Sequence, residues 1–428
     1  IRSSCGASRI SRPRLALRVD NGESAVAVQS ELKSFAAAGM QPLIAGALAA
    51  VVGYASTFAL VLAALTSVGA SPAQAGSGLF AICIAVGILN IAAAWATKKP
   101  ASFAWSTPGA AFLLTVGEPV GGYPAVVGAF LVAALLIVLS GLIRPLARAV
   151  AAIPASIANA MLAGMLLTLC LAPIRAVGEI PVLALPILLA WALALRFTRR
   201  YAVPVAVLVT VVILATTTQL PPGAVELTLP TPVPVMPVFT PDAILRIALP
   251  LFIVTMASQN LPGLAVMKAN NYDLKAPPLF LFTGLASVGT ALLGGHTVNL
   301  AAITAAITAG PEAHPNPGQR WVAPVAAGVV YIVFAAAASL AAAFIAASPP
   351  ILIEAVAGLA LFSSLGAALS GALVQEDTRL PAVLTFVATA SGITIFGIGA
   401  PFWGLVGGLA LMLILYAGKR AEPQVLSK

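Results

Sequence analysis

The chain has 428 residues, of which 60% are hydrophobic and 8% charged, and its formal net charge is +9. A soluble domain carries roughly 25% charged residues, so this composition excludes a soluble enzyme, a nucleic-acid-binding domain and a disordered scaffold. It defines a polytopic, all-α membrane protein whose first partner is the lipid bilayer.

Residues 1–38 hold Arg2, Arg9, Arg12, Arg14, Arg18 and Lys33 among Ser and Gly, with no apolar run long enough for a signal-peptide core. They read as a basic cytoplasmic tail. From Met40 to Tyr416 one apolar run follows another. A span needs about 20 residues, fewer if its helix is broken, which suggests about 14 spans. Their expected bounds are 41–66, 73–96, 101–116, 122–141, 149–171, 181–197, 202–219, 242–267, 276–293, 296–309, 321–346, 350–372, 380–397 and 401–417.

With the first residue inside, every Lys and Arg except Arg175 and Arg246 falls on the inner face of this scheme. That distribution obeys the positive-inside rule and puts both termini in the cytoplasm. The net charge therefore reports topology and not a nucleic-acid partner. Cys5, Cys83 and Cys170 and the two histidines are too few and too scattered for a disulfide framework or a metal centre. No metal or cofactor is expected. No GxxxxGK[ST] sequence is present, so any transport runs on ion gradients.

Seven spans per half, an odd number, imply two copies in opposite orientation, an arrangement typical of secondary transporters. Val52–Ala64 (VGYASTFALVLAA) aligns loosely with Val254–Val266 (VTMASQNLPGLAV), and Ile153–Gly164 with Ser348–Gly358. In the third span, Ser106 and Thr107 precede Pro108, a helix-start signal inside a span. The helix it opens, Pro108 to Val116, rises only about 14 Å, half of the hydrocarbon core. In the tenth span Gly294 and Gly295 disfavour a continuous helix, Thr297 or Asn299 can cap, and a half-helix runs to about Ala309. Two short helices with opposed N-termini near the midplane suit an anion.

WSTPG (Trp105–Gly109), ASQNLPG (Ala257–Gly263) and GGHTVNLAAITAAI (Gly294–Ile307) resemble the benzoate/proton symporter family over about residues 39–418. The resemblance implies the seven-plus-seven inverted-repeat fold of nucleobase and sulfate-type anion transporters. It implies a core domain from 39–145 and 239–348, a gate domain from 146–238 and 349–418, and a short tail at 419–428. It further implies proton-coupled import of an aromatic carboxylate, benzoate, across the bacterial inner membrane by alternating access, and relatives of the fold suggest a homodimer. Ser106, Thr107, Thr297 and Asn299, with Gln259 and Asn260, are the candidate carboxylate donors. Tyr54, Phe58, Phe103 and Trp105 are the candidate ring wall. Nucleobase relatives place acids on the eighth and tenth spans, whereas Gln259, Asn260 and Asn299 stand there in this chain. A fixed carboxylate would repel an anionic substrate in a low dielectric.

Several residues carry two readings. His296 is either the proton-coupling group or a neutral residue near the outer vestibule. Glu354, in the first turns of the twelfth span, is either a coupling acid or a structural partner at the interface. Gln259 and Asn260 are either site donors or interhelical hydrogen-bonding groups. Glu118 and Asp242 read as solvated span ends, and GIGAPFWG (Gly397–Gly404) as a hairpin between the last two spans. Another organic anion, a nucleobase or an anion channel remain the alternatives. Catalysis finds no nucleophile–base pair here.

Overall fold

Two short extended segments that meet inside the helical bundle organise the structure. The computed structural model describes residues 39–143, 145–146, 148, 152–197, 202–217, 230–301, 303–311, 313–346, 349–395 and 398–416. The tails at 1–38 and 419–428 lie outside the described residues. The order begins α1 (Met40–Ser67), α2 (Pro72–Thr97), β1 (Phe103–Trp105), α3 (Thr107–Val116), α4 (Gly122–Leu142), α5 (Ala155–Glu179), α6 (Pro181–Phe197) and α7 (Ala202–Thr217). It continues α8 (Pro241–Ala269), α9 (Ala276–Ala291), β2 (Val298–Leu300), α10 (Ile303–Ala309), α11 (Val322–Ala335) and α12 (Ala338–Ala346). It ends α13 (Pro350–Leu373), α14 (Arg379–Ala390), β3 (Thr394–Ile395), β4 (Ile398–Gly399) and α15 (Ala400–Tyr416). Among the described residues seven helices are long and apolar enough to cross a bilayer, and six further apolar helices have 10–17 residues.

Strands β1 and β2 pair antiparallel, with Phe103 opposite Leu300, Ala104 opposite Asn299 and Trp105 opposite Val298. Ser106 N–H donates to the Thr297 carbonyl at 3.0 Å and Ala301 N–H to the Ser102 carbonyl at 2.8 Å, extending the ladder at both ends. A two-stranded ladder has two open edges, which apolar surroundings cannot satisfy. Side chains close them. Asn90 of α2 accepts from Phe103 N–H at 3.0 Å and donates to the Phe103 carbonyl at 2.9 Å. On the other edge Ser287 of α9 accepts from Val298 N–H and Asn260 of α8 from Leu300 N–H, both at 2.8 Å.

Each strand leads into a short helix. Ser106 caps α3 by accepting from Gly109 N–H at 3.1 Å, and Pro108 sits in the first turn, as the sequence signal predicts. The tenth span differs from expectation. Thr297 and Asn299 do not cap a helix, because β2 occupies 298–300 and α10 starts only at Ile303. The pairing with β1 holds that backbone extended. The far end of α10 is closed by Arg320, whose Nη1 donates to the Ala309 carbonyl at 2.9 Å. Helix α8 contains two π-helical stretches, Ile244–Ala248 and Met256–Asn260. The second lies just before Pro262, which has no N–H to give the preceding turn. Gly263 lets α8 approach β2, since a Cβ there would lie 2.9 Å from Leu300 Cγ and 3.1 Å from its carbonyl oxygen.

Other expected bounds are corrected. The fifth span runs to Glu179 through Pro173, and the eleventh divides into α11 and α12, with i−3 hydrogen bonds at Ala336 and Ala337. The thirteenth ends at Ala390 because Gly392 adopts φ +67°, and the hairpin read from GIGAPFWG starts earlier, at Thr394. Asp242 is not merely solvated: it pairs with Arg246 at 3.5 Å and accepts from Val120 N–H at 3.2 Å. Cys83 and Cys170 are buried free thiols.

The edge-closing role of Asn90 is testable. Asn90→Ala leaves a buried N–H and C=O of Phe103 without their side-chain partner, which costs about 1–3 kcal/mol per unsatisfied group. Thermal unfolding of the purified variant is expected several degrees below the parent protein, with Cys83→Ala as a milder control in the same helix.

Candidate functional site

Two cavities meet where β1 passes into α3. The smaller, about 90 Å³, lies among α1, β1, α8, α10 and α11 and is lined by Gly53, Thr57, Trp105, Thr304 and Tyr331, among others. The larger, about 170 Å³, lies between α3 and α8 on one side and α5 and α13 on the other. Thr107 and Gln259 line both. Among the described residues no charged side chain lines either cavity.

The larger cavity has a mixed wall. Leu162, Leu166 and Leu361 supply apolar surface, and Asn159, Ser258, Gln259 and Ser364 supply polar groups. Ser258 Oγ is buried with no hydrogen-bond partner among the described residues. In the smaller cavity Thr304 Oγ1 is likewise unpartnered, while Thr57 accepts from Trp105 Nε1 at 3.0 Å. The head of α3, with its dipole, lies at the junction marked by Thr107; the N–H groups of Ser106, Gly109 and Ala110 are already bonded within the fold and Pro108 has none. Neutral donors and a leucine wall together suit a small anion that carries an apolar body.

The residues read from the sequence divide sharply. Thr107, Gln259 and Trp105 line the cavities. Ser106, Thr297, Asn299 and Asn260 are buried and used by the fold. Thr255 Oγ1 donates to Ser106 Oγ at 3.0 Å and lies 2.9 Å from Thr297 Oγ1, so these three hydroxyls tie β1 and β2 to α8. Asn299, with its amide nitrogen toward β1, donates to the Ala104 and Trp105 carbonyls at 3.0 and 3.2 Å. Asn260 is occupied by Leu300 N–H and by Met256 Sδ at 3.1 Å.

The expected aromatic wall reduces to one member. Tyr54 stacks on Phe58 with centroids 5.1 Å apart and meets Trp105 edge-on at 6.1 Å, and neither Tyr54 nor Phe58 lines the two cavities. Tyr331, which the sequence reading did not include, meets Trp105 from another side at 5.6 Å and does line the smaller cavity. Phe103 faces a separate groove between α2 and α9. His296 is fully buried, with Nδ1 3.2 Å from the Thr297 carbonyl and its ring edge-on to Phe130, and lines neither cavity. Glu354 lines a third cavity of about 340 Å³ at the end of α1, beside Thr66 and Ser67.

The sequence contained signals for two of the missed residues. Ser258 lies beside Gln259 in the ASQN motif, and Asn159 lies in the Ile153–Gly164 segment already singled out as a repeat. The leucine wall carries no such signal, because leucines are everywhere in a chain of this composition.

The fold and this cavity pair define a multi-pass membrane transport protein. The transmembrane domain of a cyanobacterial bicarbonate transporter, BicA, superposes with a TM-score of 0.56 at 16% identity, covering 89% of this chain and 98% of that one. The murine SLC26A9 anion transporter in its inward-facing state gives 0.58 at 12% identity, covering 98% of this chain and 78% of that one. Residues 36–414 match the family of the benzoate membrane transport protein, BenE. The inner membrane protein YdcO of Escherichia coli K12 is 40% identical over 87% of this chain and 95% of its own length. The benzoate membrane transport protein of Acinetobacter baylyi is 31% identical over 87% of this chain and 94% of its own length. The chain belongs to the benzoate membrane transport protein family, and it is a transporter and not an enzyme.

The smaller cavity depends on the absence of a side chain at position 53. A Cβ there would come 2.8 Å from the buried Tyr331 hydroxyl and 3.5 Å from Thr304 Cγ2. Gly53→Ala is therefore expected to lower transport at least about tenfold while the protein still folds. Uptake per mole of reconstituted protein, with unfolding temperature measured alongside, checks it.

Proposed function

We propose that this chain imports an aromatic carboxylate, benzoate first among them, with protons across the bacterial inner membrane by alternating access. The observation that carries this reading is the pair of uncharged cavities joined at Thr107 and Gln259. A carboxylate entering a low dielectric is repelled by any fixed acid and trapped by a fixed cation. Here it meets the head of α3, the Thr107 hydroxyl and the Gln259 amide, neutral groups that bind without trapping. Its ring then lies in the larger cavity against Leu162, Leu166 and Leu361. The name of the Acinetobacter baylyi relative supports benzoate as the substrate.

The same geometry supports alternating access. One wall of the larger cavity comes from α3 and α8, in the proposed core domain (39–145 and 239–348). The other comes from α5 and α13, in the proposed gate domain (146–238 and 349–418). Motion of one against the other opens the cavity to alternate faces. The paired motifs β1–α3 and β2–α10, running antiparallel, support two inverted seven-span repeats and hence 14 spans. The basic residues on one side of that scheme support cytoplasmic termini.

For the proton, Glu354 is the better candidate of the two, because it faces a cavity while His296 is sealed in the bundle. The proton also has a route on the substrate itself, as neutral benzoic acid.

Uptake of labelled benzoate into proteoliposomes tests the reading, with protein-free vesicles subtracting passive entry of the neutral acid. Saturable accumulation that requires an inward proton gradient and collapses with an ionophore is expected; uptake no greater than in empty vesicles overturns it. Gln259→Ala removes a hydrogen bond to a charged group, about 1.5–3 kcal/mol, and is expected to raise KM at least tenfold. Glu354→Gln is expected to abolish gradient-driven accumulation while benzoate counterflow persists. Unchanged gradient dependence would remove Glu354 from the mechanism.

A further inference from the structure

A groove of about 470 Å³, separate from the candidate site, lies between α2 and α9. Leu89, Ala93 and Ala96 of α2 form one wall, and Leu279 and Phe282 of α9 the other. Phe103, 1% exposed, forms its floor. From Leu89 to Ala96 and from Lys275 to Phe282 the walls run about 10 Å along the helices, at 1.5 Å per residue. The polar groups gather at one end, where Lys99 and Lys275 stand with Thr97 and Asp273. Lys99 Nζ donates to the main-chain carbonyl of Asp273. Lys275 is exposed and makes no ion pair among the described residues.

This is the shape and charge order of one kind of molecule found in every bilayer. An apolar slot open to the hydrocarbon takes an acyl chain, and two cations at its mouth take a phosphate. The carboxylate of Asp273 offsets one of them, so the mouth keeps a net positive charge. We propose that the groove between α2 and α9 binds an anionic phospholipid, with an acyl chain against Phe103 and the headgroup phosphate between Lys99 and Lys275. Basic pockets between membrane helices recognise anionic headgroups in this way. The floor of the groove gives the lipid a bearing on the site. Phe103 begins the strand whose last residue, Trp105, lines the smaller cavity. A chain packed on Phe103 therefore supports the ladder that holds Thr107 in place.

The test compares thermal unfolding of the delipidated, full-length protein in detergent after addition of dioleoylphosphatidylglycerol or dioleoylphosphatidylcholine. The readout is the difference between the two shifts within each variant, so it does not depend on the variant's own stability. The phosphatidylglycerol shift is expected to exceed the phosphatidylcholine shift by several degrees in the parent protein. The difference should vanish in the double variant Lys99→Gln with Lys275→Gln and persist in Arg379→Ala, an exposed basic residue elsewhere. Ala93→Phe, which fills the slot and leaves both lysines, should also lose it. Persistence of the difference in both the double variant and the slot-filled variant overturns the proposal. So does an equal stabilisation of this region by benzoate alone that is lost in the double variant, which would make the groove a second carboxylate site.

Discussion

Everything at the centre of this molecule depends on closing the edges of a three-residue antiparallel ladder away from water. Extended backbone inside a membrane protein leaves N–H and C=O groups that no lipid can satisfy. Strands β1 and β2 satisfy one another along their inner edges. Their outer edges are met by Asn90, Ser287 and Asn260, each from a different helix. Those three contacts dictate how closely α2, α9 and α8 approach the ladder. The consequence is that α3 and α10 begin at fixed points inside the bundle, where a continuous helix would have left no free N-terminus. The price of an irregular midplane is thus a set of committed polar side chains.

That commitment explains why the site was only partly legible in the sequence. Polar residues inside an apolar run announce themselves, and their positions correctly located the centre of the molecule. What they do there is a separate matter. Ser106, Thr297, Asn299 and Asn260 look like substrate ligands by type and depth, yet each has its hydrogen-bonding capacity taken up by the fold. Thr107 and Gln259, one residue away from two of these, face the cavities instead. A shift of one position along a strand or helix turns a side chain to another face, and no composition or motif records that shift. The helix start at Ser106–Pro108 was legible because capping and proline chemistry are local. The start of α10 was not, because residues 298–300 are held extended by a partner nearly two hundred positions earlier.

The same distinction holds for the aromatic residues. An expectation of ring stacking points to Tyr54, Phe58, Phe103 and Trp105, and of these Trp105 lines the candidate site while Phe103 lines a separate groove. Tyr54 and Tyr331 meet Trp105 edge-on from two sides, and Phe58 stacks behind Tyr54. The apolar wall of the larger cavity is aliphatic and comes from α5 and α13. Leucine walls accept a ring without demanding a particular orientation, whereas an aromatic cage would hold it through specific edge or face contacts. In a transporter that must release what it binds, the looser wall has a clear advantage.

Charge follows the same logic. A cation beside the carboxylate would deepen the well from which the substrate must escape on the far side, and an acid would bar its entry. A site of neutral donors at a helix head avoids both, since the dipole is fixed in the protein and its attraction is modest. Among the described residues no titratable group of this kind lines the two cavities. On the proposed symport reading, coupling then comes from elsewhere, either on the substrate's own carboxyl or at a group between the proposed core and gate domains. Glu354 meets the second condition. It stands on α13, which supplies Leu361 and Ser364 to the larger cavity, two to three turns further along the same helix. On the proposed reading, Glu354 thus acts through the helix that also walls the larger cavity, and not at the substrate itself.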